Sequence, residues 1–425
     1  MTNVVIVGGQ WGDEGKAKII DLLSEKADIV IRYQGGCNAG HTVVTGGQTY
    51  KFHLIPSGIL YPGKICLIGN GVVVNPQVFM SEVEGLQAKG IDTTNLYISP
   101  LAHLTLPYHI ALDELSEESL QNNKIGTTKR GIGPTYIDKV GRTGIRMEDL
   151  FEEGAVSDKL DIILPQKNTI FEYYGKPTVK KSDMLEFCNH YAEKLAPYVK
   201  DFSDILQDAL KTGKTILFEG AQGTMLDIDH GTYPFVTSSS PIAAGASIGS
   251  GVGMTKIQKV VGVFKAYITR VGEGPFLTEL NDEYGEKLQN IGKEVGTTTG
   301  RKRRCGWFDA VVARYSAMVN GLTGIALTKI DVFDNFDEIK VCVAYQDTRN
   351  GKLYRNYPLN TYIHKHLEPV YKTVSGWKQD ISGVRTFSDL PQAAQDYVAM
   401  LEKETGVPIE IISVGAEREQ TIIRG

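Results

Sequence analysis

Apolar residues recur along the chain in two spacings, and their alternation sets out a fold. Short apolar runs stand at the start of the stretch Val4 to Lys18 and at Asp28 to Tyr33, Ile65 to Asn70, Tyr97 to Ser99, Thr215 to Phe218, Val260 to Thr269 and Ile325 to Lys329, with Ile409 to Val414 as the last. Runs of this length and continuity predict strands buried on both faces of a sheet. Between them the spacing turns helical. Glu14 to Ser24 carries Ile19, Ile20, Leu22 and Leu23 on one broad face, and similar patterns run near Glu286 to Lys293, Phe308 to Val319 and Pro391 to Thr405. Asn75-Pro76 opens a further helix by cap and first-turn chemistry, with Val78, Phe79, Val83 and Leu86 inward and Gly90 as the stop. Strand, helix, strand at the start of the chain is a βαβ unit, so the pattern predicts an α/β protein with a mostly parallel central sheet.

From about Asp113 to Thr212 the chain is mostly polar, helical in spacing and rich in Glu and Lys. Two glycine stretches interrupt it, GTTKRGIGPTY at Gly126 to Tyr136 and GRTGIR at Gly141 to Arg146. This reads as a helical insertion packed on the main sheet. With no repeat, low-complexity tract or linker in view, residues 1–425 are expected to form one large domain.

Composition narrows the class. A formal charge of -5 and a pI near 6.0 give no overall attraction to nucleic acid or an anionic membrane. Cys37, Cys66, Cys188, Cys305 and Cys342 are odd in number, widely spaced and free of CxxC pairing, which argues against a disulfide framework or a structural zinc site and for a reducing cytoplasm. The N-terminal apolar run has no basic leader before it, and no apolar span approaches the ~18 residues of a membrane helix, so neither secretion nor membrane insertion is implied.

Candidate chemistry sits where strands end. VVIVGGQWGDEGKAK, Val4 to Lys18, empties a strand into a glycine turn and a helix start, the geometry that offers bare N–H groups and a positive helix end to a phosphate. It misses the usual P-loop pattern twice, with Gln10 where a glycine and Ala17 where a magnesium-binding hydroxyl is expected. A carboxylate from Asp13 or Glu14 could hold magnesium instead, and could take a proton from a substrate. GGCNAGHT, Gly35 to Thr42, follows the next strand and should face the first loop across the ligand crevice, with His41 as a candidate acid. TKID, Thr328 to Asp331, resembles the guanine-reading signature of GTP-binding proteins, in which a carboxylate accepts from the ring N–H and amine of guanine. GTTTGRKRR, Gly296 to Arg304, sets hydroxyls and backbone amides beside guanidinium forks and suits a small anion. EGAQGTMLDIDHGTYPFVTSSS, Glu219 to Ser240, is a further loaded strand exit whose His230 has no spacing argument, and His53, His103, His109, His190, His364 and His366 are taken as structural or surface residues.

Together with HLIPSGIL, GNGVVV, KAYITRVGEGPF and GTTTGRKRRCGWFD, these motifs run in order from the first strand to the last, and the chain resembles the adenylosuccinate synthetase family. The resemblance implies a cytoplasmic, magnesium-requiring homodimeric ligase of AMP biosynthesis that condenses IMP with L-aspartate, releasing GDP and phosphate from GTP through a 6-phosphoryl-IMP intermediate. Carried over by position, it implies Asp13 as catalytic base, His41 as general acid and Lys16 as a third catalytic group, with Asp13 and the Gly40 carbonyl on magnesium. GTP phosphates would lie on Gly12, Asp13, Glu14, Gly15, Lys16, Ala17 and Lys18 and on Gly40, His41 and Thr42. Guanine would meet Lys329, Ile330, Asp331 and Arg303 and the turn Ser413, Val414, Gly415. IMP would be held by Asp13, Asn38, Thr128, Gln222, Thr237 and Arg301, with Arg142 supplied by the second subunit. Aspartate would be bound by Thr297, Thr298, Thr299, Gly300, Arg301, Lys302 and Arg303. Ala17, Cys37, Ser240, Ala244 and Ala416 depart from the family pattern, and only Ala17 touches a phosphate loop. A regulatory GTPase would need the phosphate loop and TKID but not the aspartate loop, and a synthetase for another purine nucleotide, such as a deoxyguanylate, is the nearer alternative.

Overall fold

A computed structural model describes residues 2–45, 48–120, 126–296, 300 and 302–424, with the backbone alone at 41, 44 and 45. A nine-stranded sheet runs through its centre. In chain order its strands are β1 (Val4–Gly8), β2 (Ile29–Arg32), β3 (Ile65–Ile68), β4 (Leu96–Ile98), β5 (Ile216–Glu219), β6 (Lys259–Lys265), β7 (Gly324–Thr328), β8 (Ile409–Ser413) and β9 (Thr421–Ile423). In space they stand in the order β9-β8-β7-β6-β1-β5-β2-β3-β4. Every pairing in it is parallel except that of β8 with β9.

The apolar runs become strands because both faces are covered. Val5 and Val7 join one core cluster with Ile29, Ile31 and Phe218, while Ile6 between them joins the other with Val30, Ile68 and Ile19 of the first helix, Lys16–Ser24. Successive side chains of a strand point to opposite faces, so a strand buried on both sides needs no polar alternation. The helix Pro76–Gln87 is capped as expected, with Asn75 Oδ1 accepting from the amides of Gln77 and Val78. The polar segment is helical too. Its helices are Pro107–Ser119, Ile132–Val140, Ala155–Tyr173, Lys181–Leu195 and Ser203–Thr212, and Leu160, Ile163, Phe171 and Met184 share a core with Ile68, Leu96 and Ile98 of the sheet.

Four features differ from the expected pattern. The run 260–269 is not one strand: β6 stops at Lys265, and Ile268–Arg270 leaves the sheet to pair antiparallel with Arg304–Gly306. Gln10 causes the break, its amide donating to the carbonyls of Lys265 and Tyr267 and accepting from the Lys265 amide, in place of a neighbouring strand. The strand Ile409–Ser413 is not the last, because Thr421–Ile423 returns as the antiparallel edge. The glycine- and serine-rich stretch near 247 forms the end of a helix, Ala244–Ser250. A long antiparallel pair, Glu338–Asp347 with Leu367–Ser375, packs Ile339 and Val341 into the core beneath β7 and β8. All five cysteines are buried free thiols. Among the described residues no helix is long and apolar enough to cross a membrane.

Candidate functional site

The loop after β1 lies at the middle of the sheet, at the carboxyl ends where crevices form. Gly12, Asp13 and Gly15 all adopt left-handed backbone (φ 84°, 59° and 84°), which lets the chain coil tightly before the helix starts at Lys16. Glu14 is the pin of this coil. Its fully buried carboxylate accepts from the amides of Gln10 (3.0 Å) and Gly12 (2.9 Å) and pairs with Lys16 Nζ at 2.6 Å. Glu14 therefore faces the inside of the loop, and Asp13, 37% exposed, is the carboxylate presented outward. Asp13 Oδ2 lies 2.7 Å from Arg303 Nε.

A cleft of about 490 Å³ opens over this loop. Of the residues singled out from the sequence, Gly12, Asp13, Gly15, Lys16, Ala17, Asn38, Gly40, Thr42, Thr128, Gln222, Thr237, Arg303 and Lys329 all line it. They arrive from six separate strand exits and loops. Gln222 Nε2 donates to Asn38 Oδ1 (3.2 Å), joining two of them directly, while Gln222 Oε1 is buried without a partner among the described residues. Thr128 is held in place from below: buried Asp113 accepts from Thr127 Oγ1 and from the Gly131 amide, at 2.9 Å each. Asp13, Gln222 and Lys329 all have positive φ, near 58°, although none is glycine. Such backbone is uncommon outside glycine and clusters at functional sites.

Of the guanine-type signature, Lys329 lines the cleft, and Thr328, Ile330 and Asp331 lie beside it. Thr328 Oγ1 donates to the Glu14 carbonyl (2.5 Å), so the end of β7 is tied to the phosphate loop. Lys18 points away from the loop and donates to Ser413 Oγ (2.7 Å) and to the carbonyls of Gly415 (2.8 Å) and Gln420 (2.9 Å), which ties the same loop to the turn after β8. Burial lowers the Lys18 ammonium to about 8, against the pull of the Asp331 charge. Asp331 is raised by its own burial, and its Oδ1 is buried with no hydrogen-bond partner among the described residues. Ile330 is buried, and Val414 is held by its amide on the Gln420 carbonyl.

Other predicted residues stand elsewhere. Arg142 is exposed at the end of the helix Ile132–Val140 and does not line the cleft. Thr297, Thr298, Thr299, Arg301 and the side chain of His41 lie outside the described residues. Around that loop, Gly300 donates its amide to the Gly296 carbonyl, Lys302 bridges to Val295, and the Arg303 amide donates to the Glu294 carbonyl.

One charged group went unread in the sequence. Glu294, fully buried, accepts from Lys265 Nζ (2.8 Å), Tyr267 and Lys329 Nζ (3.2 Å) on Oε1 and from Arg303 NH1 (2.6 Å) on Oε2. Burial alone would raise its carboxyl, but the Lys265 and Lys329 charges more than reverse this and hold it at about 2. Lys265 is lowered to about 8, since there burial outweighs Glu294. A lone Glu in KEVG carries no motif; only the position of Lys265, 29 residues earlier at a buried strand end, hints at a partner.

A parallel α/β sheet with an anion cradle at its central strand, an outward carboxylate beside it and an unsatisfied acceptor at a TKID turn defines an enzyme that works on nucleotides. Comparison with known proteins narrows this. The adenylosuccinate synthetase family model matches residues 5–422. Adenylosuccinate synthetases of Carboxydothermus hydrogenoformans and Synechococcus elongatus are 56% and 55% identical over 424 residues, covering all of this chain and 99% and 95% of theirs. The fully ligated adenylosuccinate synthetase from Plasmodium falciparum superposes with a TM-score of 0.94 at 41% identity, each chain covered completely. The chain belongs to the adenylosuccinate synthetase family, ligases that form a C–N bond with hydrolysis of GTP. A cyanophage S-2L succinoaminodeoxyadenylate synthetase bound to dGMP and dATP, with a TM-score of 0.62 at 19% identity over all of this chain and 95% of that one, shares the fold.

Proposed function

We propose that this chain ligates IMP and L-aspartate to adenylosuccinate with GTP, using the residues of the cleft in the following roles. The carrying observation is that residues picked out separately from positions 12 to 329 line one cleft. Asp13 is the catalytic base. It takes the N1 proton of IMP, O6 attacks the γ-phosphorus, and the bond from that phosphorus to the β–γ bridging oxygen breaks, leaving GDP. Lys16 and the amides of the coiled loop offset charge on the phosphates. The aspartate amine then attacks C6, the C6–O6 bond breaks, and phosphate leaves with His41 as acid. Arg303 and the loop before it bind aspartate; Asn38, Thr128, Gln222 and Thr237 orient IMP.

The Asp331 carboxylate, whose Oδ1 has no hydrogen-bond partner among the described residues, accepts from the ring N–H and amine of guanine, with Lys329, Ile330 and the turn Ser413–Gly415 completing that pocket. An oxygen donor set of the Asp13 carboxylate and the Gly40 carbonyl, both lining the cleft, fits Mg²⁺, which takes one or two carboxylates plus substrate phosphates. Bound there, Mg²⁺ supplies Lewis-acid neutralisation of phosphoryl oxygens. The free buried thiols suit a reducing cytoplasm. Arg142 serves the IMP site of a second copy; Ile137 and Val140 on the adjoining helix are 65% and 80% exposed, apolar surface suited to a dimer contact.

The test is absorbance in the purine band on mixing protein, GTP, Mg²⁺, IMP and aspartate, with each left out in turn. A change that needs all four additions is expected. GDP release without IMP and aspartate would instead mark a GTPase.

A further inference from the structure

The mechanism above gives no role to the buried carboxylate at the root of the aspartate loop. We propose that Glu294 is a positioning residue that couples the guanine and aspartate subsites, holding Lys329 with one carboxylate oxygen and Arg303 with the other. The proposal rests on the functional reading just given. Lys329 leaves β7 in left-handed backbone, and its ammonium donates to the Gly292 carbonyl (2.5 Å) as well as to Glu294 Oε1. The proposed guanine reader is thus fastened to the segment that enters the aspartate loop. Arg303, at the exit of that loop, is fixed twice by the same residue, its amide on the Glu294 carbonyl and its NH1 on Oε2, while its Nε lies against Asp13.

The carboxylate itself is held from the end of β6 by Lys265 and Tyr267, so it cannot swing away without breaking two further contacts. Charge matters as well as geometry. Lys265, Arg303 and Lys329 converge on one carboxylate, and removing it leaves buried Lys265 and Arg303 facing half-buried Lys329, with Asp13 countering only Arg303, where repulsion is less screened than in water. Lys329 and Arg303 would then move apart, and both subsites would loosen together. Asn38 and Gln222, which orient IMP, are hydrogen-bonded to each other rather than to Glu294, so IMP binding should change least.

Glu294→Gln tests this, since glutamine keeps the shape and removes the charge. Steady-state adenylosuccinate formation should show KM for GTP and KM for aspartate each raised about tenfold, KM for IMP within about twofold of the parent, and a melting temperature changed by only a few degrees. Equal rises in all three KM values, a rise in only one of the two, or none, would overturn the proposal. If Glu294→Gln does not accumulate folded, Tyr267→Phe, which removes one donor to the same carboxylate, should raise the same two KM values about threefold and leave that for IMP alone; no such split would overturn it. Absence of adenylosuccinate formation by the unmodified protein would point instead to failure of the functional reading, independently of either variant.

Discussion

Asp13 sits in backbone that costs on the order of 1–3 kcal/mol for a residue with a side chain, and the coil around Glu14 holds it there. That strain turns a carboxylate toward the cleft. If Asp13 is the base, Asp13→Asn should lower kcat by about a thousandfold, and because the same carboxylate holds Mg²⁺ against the phosphates, KM for GTP at limiting Mg²⁺ should rise as well. Single-turnover formation of GDP would show the block in the first step. Lys18 supports a second prediction. Its ammonium, lowered to about 8 by burial, gives hydrogen bonds to three oxygens of the turn after β8. Deprotonation removes one of those donors, so KM for GTP should rise between pH 7 and 9, and Lys18→Met should flatten that rise while raising KM at every pH. Asp13 and Lys329 could be named from sequence because they stand in motifs at strand ends, where loops face the crevice. Glu294 could not: its meaning comes from Lys265, Tyr267, Arg303 and Lys329, brought together only by the fold.

The phosphate loop shows how one element depends on its neighbours. A Cβ on Gly223 would lie 2.5 Å from the Gln10 carbonyl and 2.6 Å from both Glu14 Oε1 and the Gly12 amide. Gly223→Ala should therefore push the coil apart and cost about 1–3 kcal/mol, read as a lowered denaturation midpoint together with weakened GTP binding. Strands and helices were legible at this scale where periodicity was strong, as at Asn75-Pro76, whose cap forms as predicted. The break in the run 260–269 was not, since nothing in that run announces it; Gln10, some 250 residues away, supplies the hydrogen bonds that end β6. The same residue explains why a glycine is absent from the loop pattern there, because its side chain ties the phosphate loop to the end of β6.

At the scale of the whole molecule the parallel sheet was readable from apolar runs, but its order was not, because parallel neighbours are joined through long crossovers that local pattern does not record. The antiparallel edge β9 and the pair Glu338–Asp347 with Leu367–Ser375 were missed for a related reason: their faces are only half apolar, and their burial comes from packing on elements distant in the chain. Assembly gives the last prediction. If Arg142 completes the site of a second copy, the separately inactive variants Arg142→Leu and Asp13→Asn should regain part of the activity when mixed, since a mixed dimer restores one intact site, and sedimentation should report a dimer. Activity that stays absent on mixing would place Arg142 in its own site.

The central position of β1 has a consequence for how the chain is made. Residues 4–8 emerge first, yet their partners in the sheet are residues 217–219 and 259–263. At a synthesis rate of about 5–20 residues per second, the first strand waits roughly 10–50 s for both flanks to exist. During that interval a wholly apolar segment with two open edges is attached to the ribosome, and the phosphate loop that follows it has nothing to coil against. The centre of this enzyme is the part completed late, so newly made chains should depend on chaperone protection until about two thirds of the sequence has been translated.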